Sequence, residues 1–145
     1  MIKPSVILGV VLAAAITSPG VLAEQTKSGT TVTVVFEGLP SDQGALFAGL
    51  CLEAEYETFD CRNALLEPDP AGVRYVWTNI PAGQYGVTSL HDENSNGKMD
   101  FSFFGAPKEK WGSSNNPPPR MGRSLWKDIA FEVSAEPVSL TIEMR

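Results

Sequence analysis

The sequence predicts an all-β fold, a single antiparallel β-sandwich of the immunoglobulin or prealbumin kind with one long ordered loop. Three observations carry this reading. Six or seven short segments alternate apolar with polar residues, or run rich in β-branched and aromatic side chains. Turn residues bound each segment closely, and no stretch keeps a helical period beyond a turn or two. No repeat or low-complexity linker divides the 145 residues, so one domain with its own core is expected.

Taken in order, residues 1–23 read as a secretory leader. Lys3 supplies the positive start, residues 6–16 form an apolar run, Pro19 and Gly20 break it, and Ala23 is a small residue suited to cleavage. The run is too short to span a bilayer, and no cysteine follows it closely enough for lipid attachment. Residues 24–145 are then the sandwich domain, exported to the periplasm, the cell surface or beyond, with no transmembrane segment once the leader is removed.

Residues 31–37 alternate β-branched and apolar positions, a strand. Residues 38–44 are a Gly- and Pro-punctuated turn, and the short apolar run 45–52 is a buried strand. Residues 53–61 are acidic and solvated, with room for one helical turn, and residues 64–66 are ambiguous. Residues 72–80 alternate again, with Val73, Tyr75 and Trp77 on one face. A Pro81–Gly83 bend leads to a strand over 85–90, and strands are expected over 128–134 and 138–144.

With 17 acidic against 11 basic residues, the net charge of −6 disfavours nucleic acid and anionic lipid as partners. It suits a cation. Cys51 and Cys61, an even pair in an exported chain, are expected to form a disulfide. The acids around them, Glu53, Glu55, Glu57 and Asp60, argue against a reactive thiolate.

Residues 90–131 are a polar, Gly- and Pro-rich excursion, too long to be structureless in a compact domain. Its start, HDENSNGKMD at 91–100, puts side-chain oxygens of Asp92, Asn94, Asn96 and Asp100 at positions 1, 3, 5 and 9 of a loop. Gly97 stands at position 6 and the Lys98 carbonyl at position 7, which is the first half of a calcium loop. Position 12 is Phe103, so the last ligand would come from Glu93 or Glu109. The same residues would equally make a metal-free tip stabilised by Asx-turns. Calcium here would be a structural staple rather than a catalyst.

His91, the one histidine, reads either as a loop-bonding residue or as a base or ligand. A Ser113 nucleophile with His91 is a possible hydrolase pair, but the flanks of Ser113 lack the Gly-x-Ser-x-Gly elbow. Phe101, Phe103, Phe104, Trp111 and Trp126 either form a platform for a glycan or protein ligand beside His91, Trp111, Asn115 and Asn116, or fold inward as the core of the loop.

Two resemblances attach to these motifs. Residues 80–85, IPAGQY between two strands, are similar to the corner of transthyretin-like sandwiches, which implies fold alone. Residues 91–100, 104–109 (FGAPKE), 111–116 (WGSSNN) and 128–131 (DIAF), in that order, resemble the DUF2141 family of exported bacterial proteins. The likeness runs from about residue 31 to the C-terminus. The sequence departs from that pattern at Gly122-Arg123-Ser124, where Gly-Pro-Pro would be expected, and at Pro117-Pro118-Pro119. The resemblance implies fold and export and carries over no reaction. The expected function is that of an exported, non-enzymatic module, with a purely structural envelope protein as the alternative.

Overall fold

The structure, a computed structural model, describes residues 29–145. The expected leader over residues 1–23 lies outside them. The chain runs β1 (Thr30–Glu37), β2 (Ala45–Cys51), α1 (Glu53–Thr58), β3 (Arg62–Leu66), β4 (Val73–Ile80), β5 (Gly83–Asp92), β6 (Trp111–Ser113), α2 (Trp126–Ile129), β7 (Phe131–Val133) and β8 (Val138–Glu143). The fold is all-β, as the alternation predicts. One sheet has the order β4-β1-β8, and the other β3-β2-β5-β6, with β7 on β5.

The period-2 pattern shows directly in burial. Val32, Val34 and Phe36 of β1 turn inward and meet Leu46, Ala48 and Leu50 of β2, Val87 of β5 and Ile142 of β8 in one shared core. A smaller cluster of Cys51, Tyr56 and Ile129, with Trp126 against it, sits beneath the two short helices.

The pairings are antiparallel with one exception. β1 and β8 run parallel, from Val32 opposite Val138 to Glu37 opposite Glu143. No tight turn joins these two strands, which lie at opposite ends of the domain, so nothing local imposes a hairpin orientation.

Three elements differ from the sequence reading. The ambiguous 64–66 stretch belongs to β3, which finds its bonds along β2. Residues 126–129 are one helical turn, so the expected strand over 128–134 shrinks to β7. β6, inside the excursion, pairs Trp111 with Leu90 and Ser113 with Thr88. Its three residues are too short to show alternation.

Cys51 and Cys61 are joined, closing the acidic connection and α1 between β2 and β3. Replacing both cysteines by Ala is expected to lower unfolding free energy by about 2–3 kcal/mol. Urea denaturation of the double variant, beside the wild type with and without reductant, measures this. Coincident transitions would refute it.

Candidate functional site

The excursion leaves β5 at its buried end. His91 and Asp92 are fully buried, and the main-chain N–H of His91 donates to the Lys110 carbonyl at 2.8 Å. Loop and return segment therefore leave and rejoin the sheet at adjacent points. The β1–β2 turn packs on the same place. Gly44 has φ +75°, and a Cβ there would lie 2.0 Å from the Asp92 carbonyl oxygen. Both the angle and the space demand glycine.

Two carboxylates tie the polar loop. Asp92 accepts the N–H of Asn96 at 3.1 Å on one oxygen and the N–H of Gly97 at 2.7 Å on the other. Glu109, also buried, reaches back across the loop and accepts the N–H groups of Glu93 at 3.1 Å and Asp100 at 3.0 Å. Main-chain donors so held need no water.

Between these ties the loop is a chain of Asx-turns. Asn94 Oδ1 accepts the Asn96 N–H at 3.1 Å, and Asn96 Oδ1 accepts the Lys98 N–H at 3.0 Å. With their oxygens used in this way, both amides turn their NH2 ends to the Asp100 carboxylate. Asn96 donates to it at 2.9 and 3.0 Å, and Asn94 donates as well. These amide bonds from Asn96 and Asn94 hold the Asp100 carboxyl below its ordinary value of 3.8, against a desolvation cost and with help from Lys98 and Lys108.

The side chains of Asn94, Asn96 and Asp100 thus bond one another, while the Asp92 carboxylate bonds the loop main chain. Among the described residues no three His, Cys, Asp or Glu side chains converge as a metal-holding group. For a hard cation to sit beside Asp100, Asn94 and Asn96 would have to withdraw the NH2 groups they donate to that carboxylate. The oxygens of Asp92, Asn94 and Asn96 each keep a lone pair after accepting one N–H.

The other residues read as ligand-facing fall in different places. His91 faces inward, with Nε2 2.8 Å from the Gln43 carbonyl and Nδ1 buried without a partner. The carbonyl can only accept, so Nε2 carries the proton. Asn115 donates to the carbonyls of Asp128 and Ala130, and Asn116 bonds Thr141 and Glu143 of β8, so both side chains are spent on the main chain. Trp111, half-buried, lines an open cleft of about 210 Å³ with Lys108, Lys110, Pro119 and Arg145. Ser113 pairs with Thr88 on β5, whereas Ser89 and His91 lie on the alternate face. The regular register therefore sets Ser113 and His91 on opposite sides of the sheet.

Other anchors escape the sequence reading. Ser114 Oγ accepts the Val87 N–H at 2.9 Å and donates to the Ile129 carbonyl. The Arg123 guanidinium lies 4.2 Å from the Tyr56 ring centroid and 3.9 Å from that of Phe59, and it donates to the Tyr56 carbonyl. Isolated Ser and Arg residues in a loop carry no periodic signal.

The aromatic residues divide. Trp126 packs on Tyr56 at 5.8 Å. Phe101, Phe103 and Phe104 stand in solvent on a small hairpin closed by the Phe101–Pro107 bridge and by the Ser102 N–H to Ala106 carbonyl bond at 2.7 Å.

Removing the Asp92 carboxylate orphans two main-chain donors. Asp92→Ala is expected to cost about 2 kcal/mol of local stability, read as roughly thirtyfold faster hydrogen exchange at Asn96 and Gly97. Unchanged exchange would contradict it. The Asp100 group titrates below its ordinary value, so its contribution is complete above 3.8 and is lost as pH falls further. Protection of the loop amides should hold from neutrality to about pH 5 and decline in stronger acid, and Asp100→Asn should abolish that acid-dependent step.

A family model described as "Uncharacterized protein conserved in bacteria (DUF2141)" matches residues 32–141. No curated protein and no solved structure gives a match.

Proposed function

We propose that this chain, which belongs to the DUF2141 family, is an exported, non-catalytic binding module whose polar 92–100 loop braces an aromatic hairpin for presentation to a partner. The observation that carries this reading is the pair of buried carboxylates, Asp92 and Glu109, which hold four main-chain N–H groups of the loop leading into the hairpin, the last of them, Asp100, at its root. Such bracing is spent on a segment whose tip touches nothing else, which suits a rigid contact element better than a connecting loop.

Export is supported by the Lys3, apolar-run and Ala23 pattern and by the Cys51–Cys61 disulfide. Among the described residues no helix is long and apolar enough to cross a membrane.

Calcium is the cation this loop would take. Asp92 and Asp100 would supply charge, Asn94 and Asn96 their amide oxygens, and Lys98 its carbonyl. Its role would be to tighten the brace. The second reading, a brace without metal, is favoured by the Asn94 and Asn96 amides already donating to Asp100.

Thermal melts in EDTA and in excess calcium separate the two. Calcium at a hundredfold over its dissociation constant should stabilise the fold by about 2.7 kcal/mol, and Asp100→Ala should erase the shift. Identical midpoints would remove calcium and leave the metal-free brace. Rapid exchange of the 92–100 amides in wild-type protein would remove the brace itself.

A further inference from the structure

The net charge of the chain conceals a strong asymmetry. Residues 101–127 hold Lys108, Lys110, Arg120, Arg123 and Lys127 against a single acid, Glu109, which is buried and bonded to main-chain N–H groups. Lys98 adds a further cation just before the hairpin, and Asp100, which Lys98 and Lys108 both face, adds one acid at its base. Among the described residues, Lys98, Lys108 and Lys110 form no salt bridge. The most acidic chain segment, by contrast, lies around α1, with Glu53, Glu55, Glu57 and Asp60.

Exposed apolar groups lie in the same basic stretch. Phe103 and Phe104 are 98% and 91% exposed. Their rings meet edge to face at 5.4 Å. Beneath them the main chain is well bonded: Gly105 N–H donates to the Ser102 carbonyl at 2.9 Å, and Ala106 N–H donates to Ser102 Oγ at 3.1 Å. Lys108 is fixed at the base of the hairpin by its N–H bond to the Asp100 carbonyl at 2.8 Å. The result is a convex apolar tip with cations behind it.

We propose that the 101–107 hairpin is a peripheral membrane anchor, in which Phe103 and Phe104 enter the acyl margin of a bilayer while Lys98, Lys108 and Lys110 meet anionic phospholipid headgroups. Aromatic insertion and attraction to lipid phosphates act together in such contacts. A second copy of the chain is a poorer occupant. The 210 Å³ cleft that could receive a convex tip is lined by Lys108, Lys110 and Arg145 against one acid, Glu109, so its net sign is that of the hairpin's own lysines. This inference deepens the presentation role and rests on the braced loop.

The test uses residues 24–145, which contain every described strand, so that the apolar leader does not itself bind lipid. Co-sedimentation with vesicles of 30 mol% phosphatidylglycerol in phosphatidylcholine is compared with pure phosphatidylcholine. Partition should favour the anionic vesicles and weaken with salt. Phe103→Ser with Phe104→Ser should lower it at least tenfold, and each of Lys98→Gln, Lys108→Gln and Lys110→Gln about fivefold. These side chains make no bond to the core, so circular dichroism and melting should match wild type. Equal partition of the double Phe variant, or no preference for anionic vesicles, would overturn the anchor. So would self-association that depends on Phe103 and Phe104 in the absence of lipid. Hydrogen exchange of residues 92–110 separates the two levels: protected amides without vesicle binding sink the anchor and spare the brace, whereas unprotected amides sink the brace.

Discussion

The excursion depends on carboxylates that accept main-chain N–H groups where no strand partner exists. A loop that leaves a sheet carries its donors with it, and those near the sheet end are shielded from water. Asp92 and Glu109 meet this constraint from opposite ends of the loop. Because Glu109 comes after the hairpin and bonds residues before it, one side chain also fixes where the return segment lies. β6 can then add to β5 in register, with Trp111 opposite Leu90.

From β6 onward the chain is held by a second set of contacts. Trp111 and Arg145 exchange both main-chain bonds, at 3.1 and 2.9 Å, so the C-terminus beyond β8 reaches the edge of the other sheet. Ser114, Asn115 and Asn116 then tie the segment to β5, α2 and β8. Asn115 and Asn116 sit at positive φ, which Asn tolerates better than most residues, and this turns both amides toward neighbouring carbonyls. What looks from composition like a polar surface loop is, at its centre, an internal strut. Gly112, Ser113 and Ser114 are buried, whereas residues 93–98, the hairpin and most of 118–123 are exposed.

This division bears on function. A region that is both long and rigid concentrates its contact groups at a few protruding points. Here those points are phenylalanine rings flanked by lysines, on a protein that is otherwise acidic. Net charge averaged over a chain describes solubility well but describes a local contact surface poorly, because screening confines each charge to its neighbourhood of about 8–10 Å.

The sequence by itself determined the strands that lie on the core, since period-2 alternation over β1 and β8 reports directly which face is buried. It also made the Asx-turns of Asn94 and Asn96 legible, because such turns act over two to four residues and local spacing suffices. Tertiary structure decided the rest. The inward turn of His91, the opposite faces of His91 and Ser113, the recruitment of Glu109, the parallel β1–β8 pair and the exposure of Phe103 and Phe104 each depend on contacts between residues distant in the chain. An aromatic side chain reads the same in sequence whether its ring is buried or bare, and only the packing around it distinguishes the two.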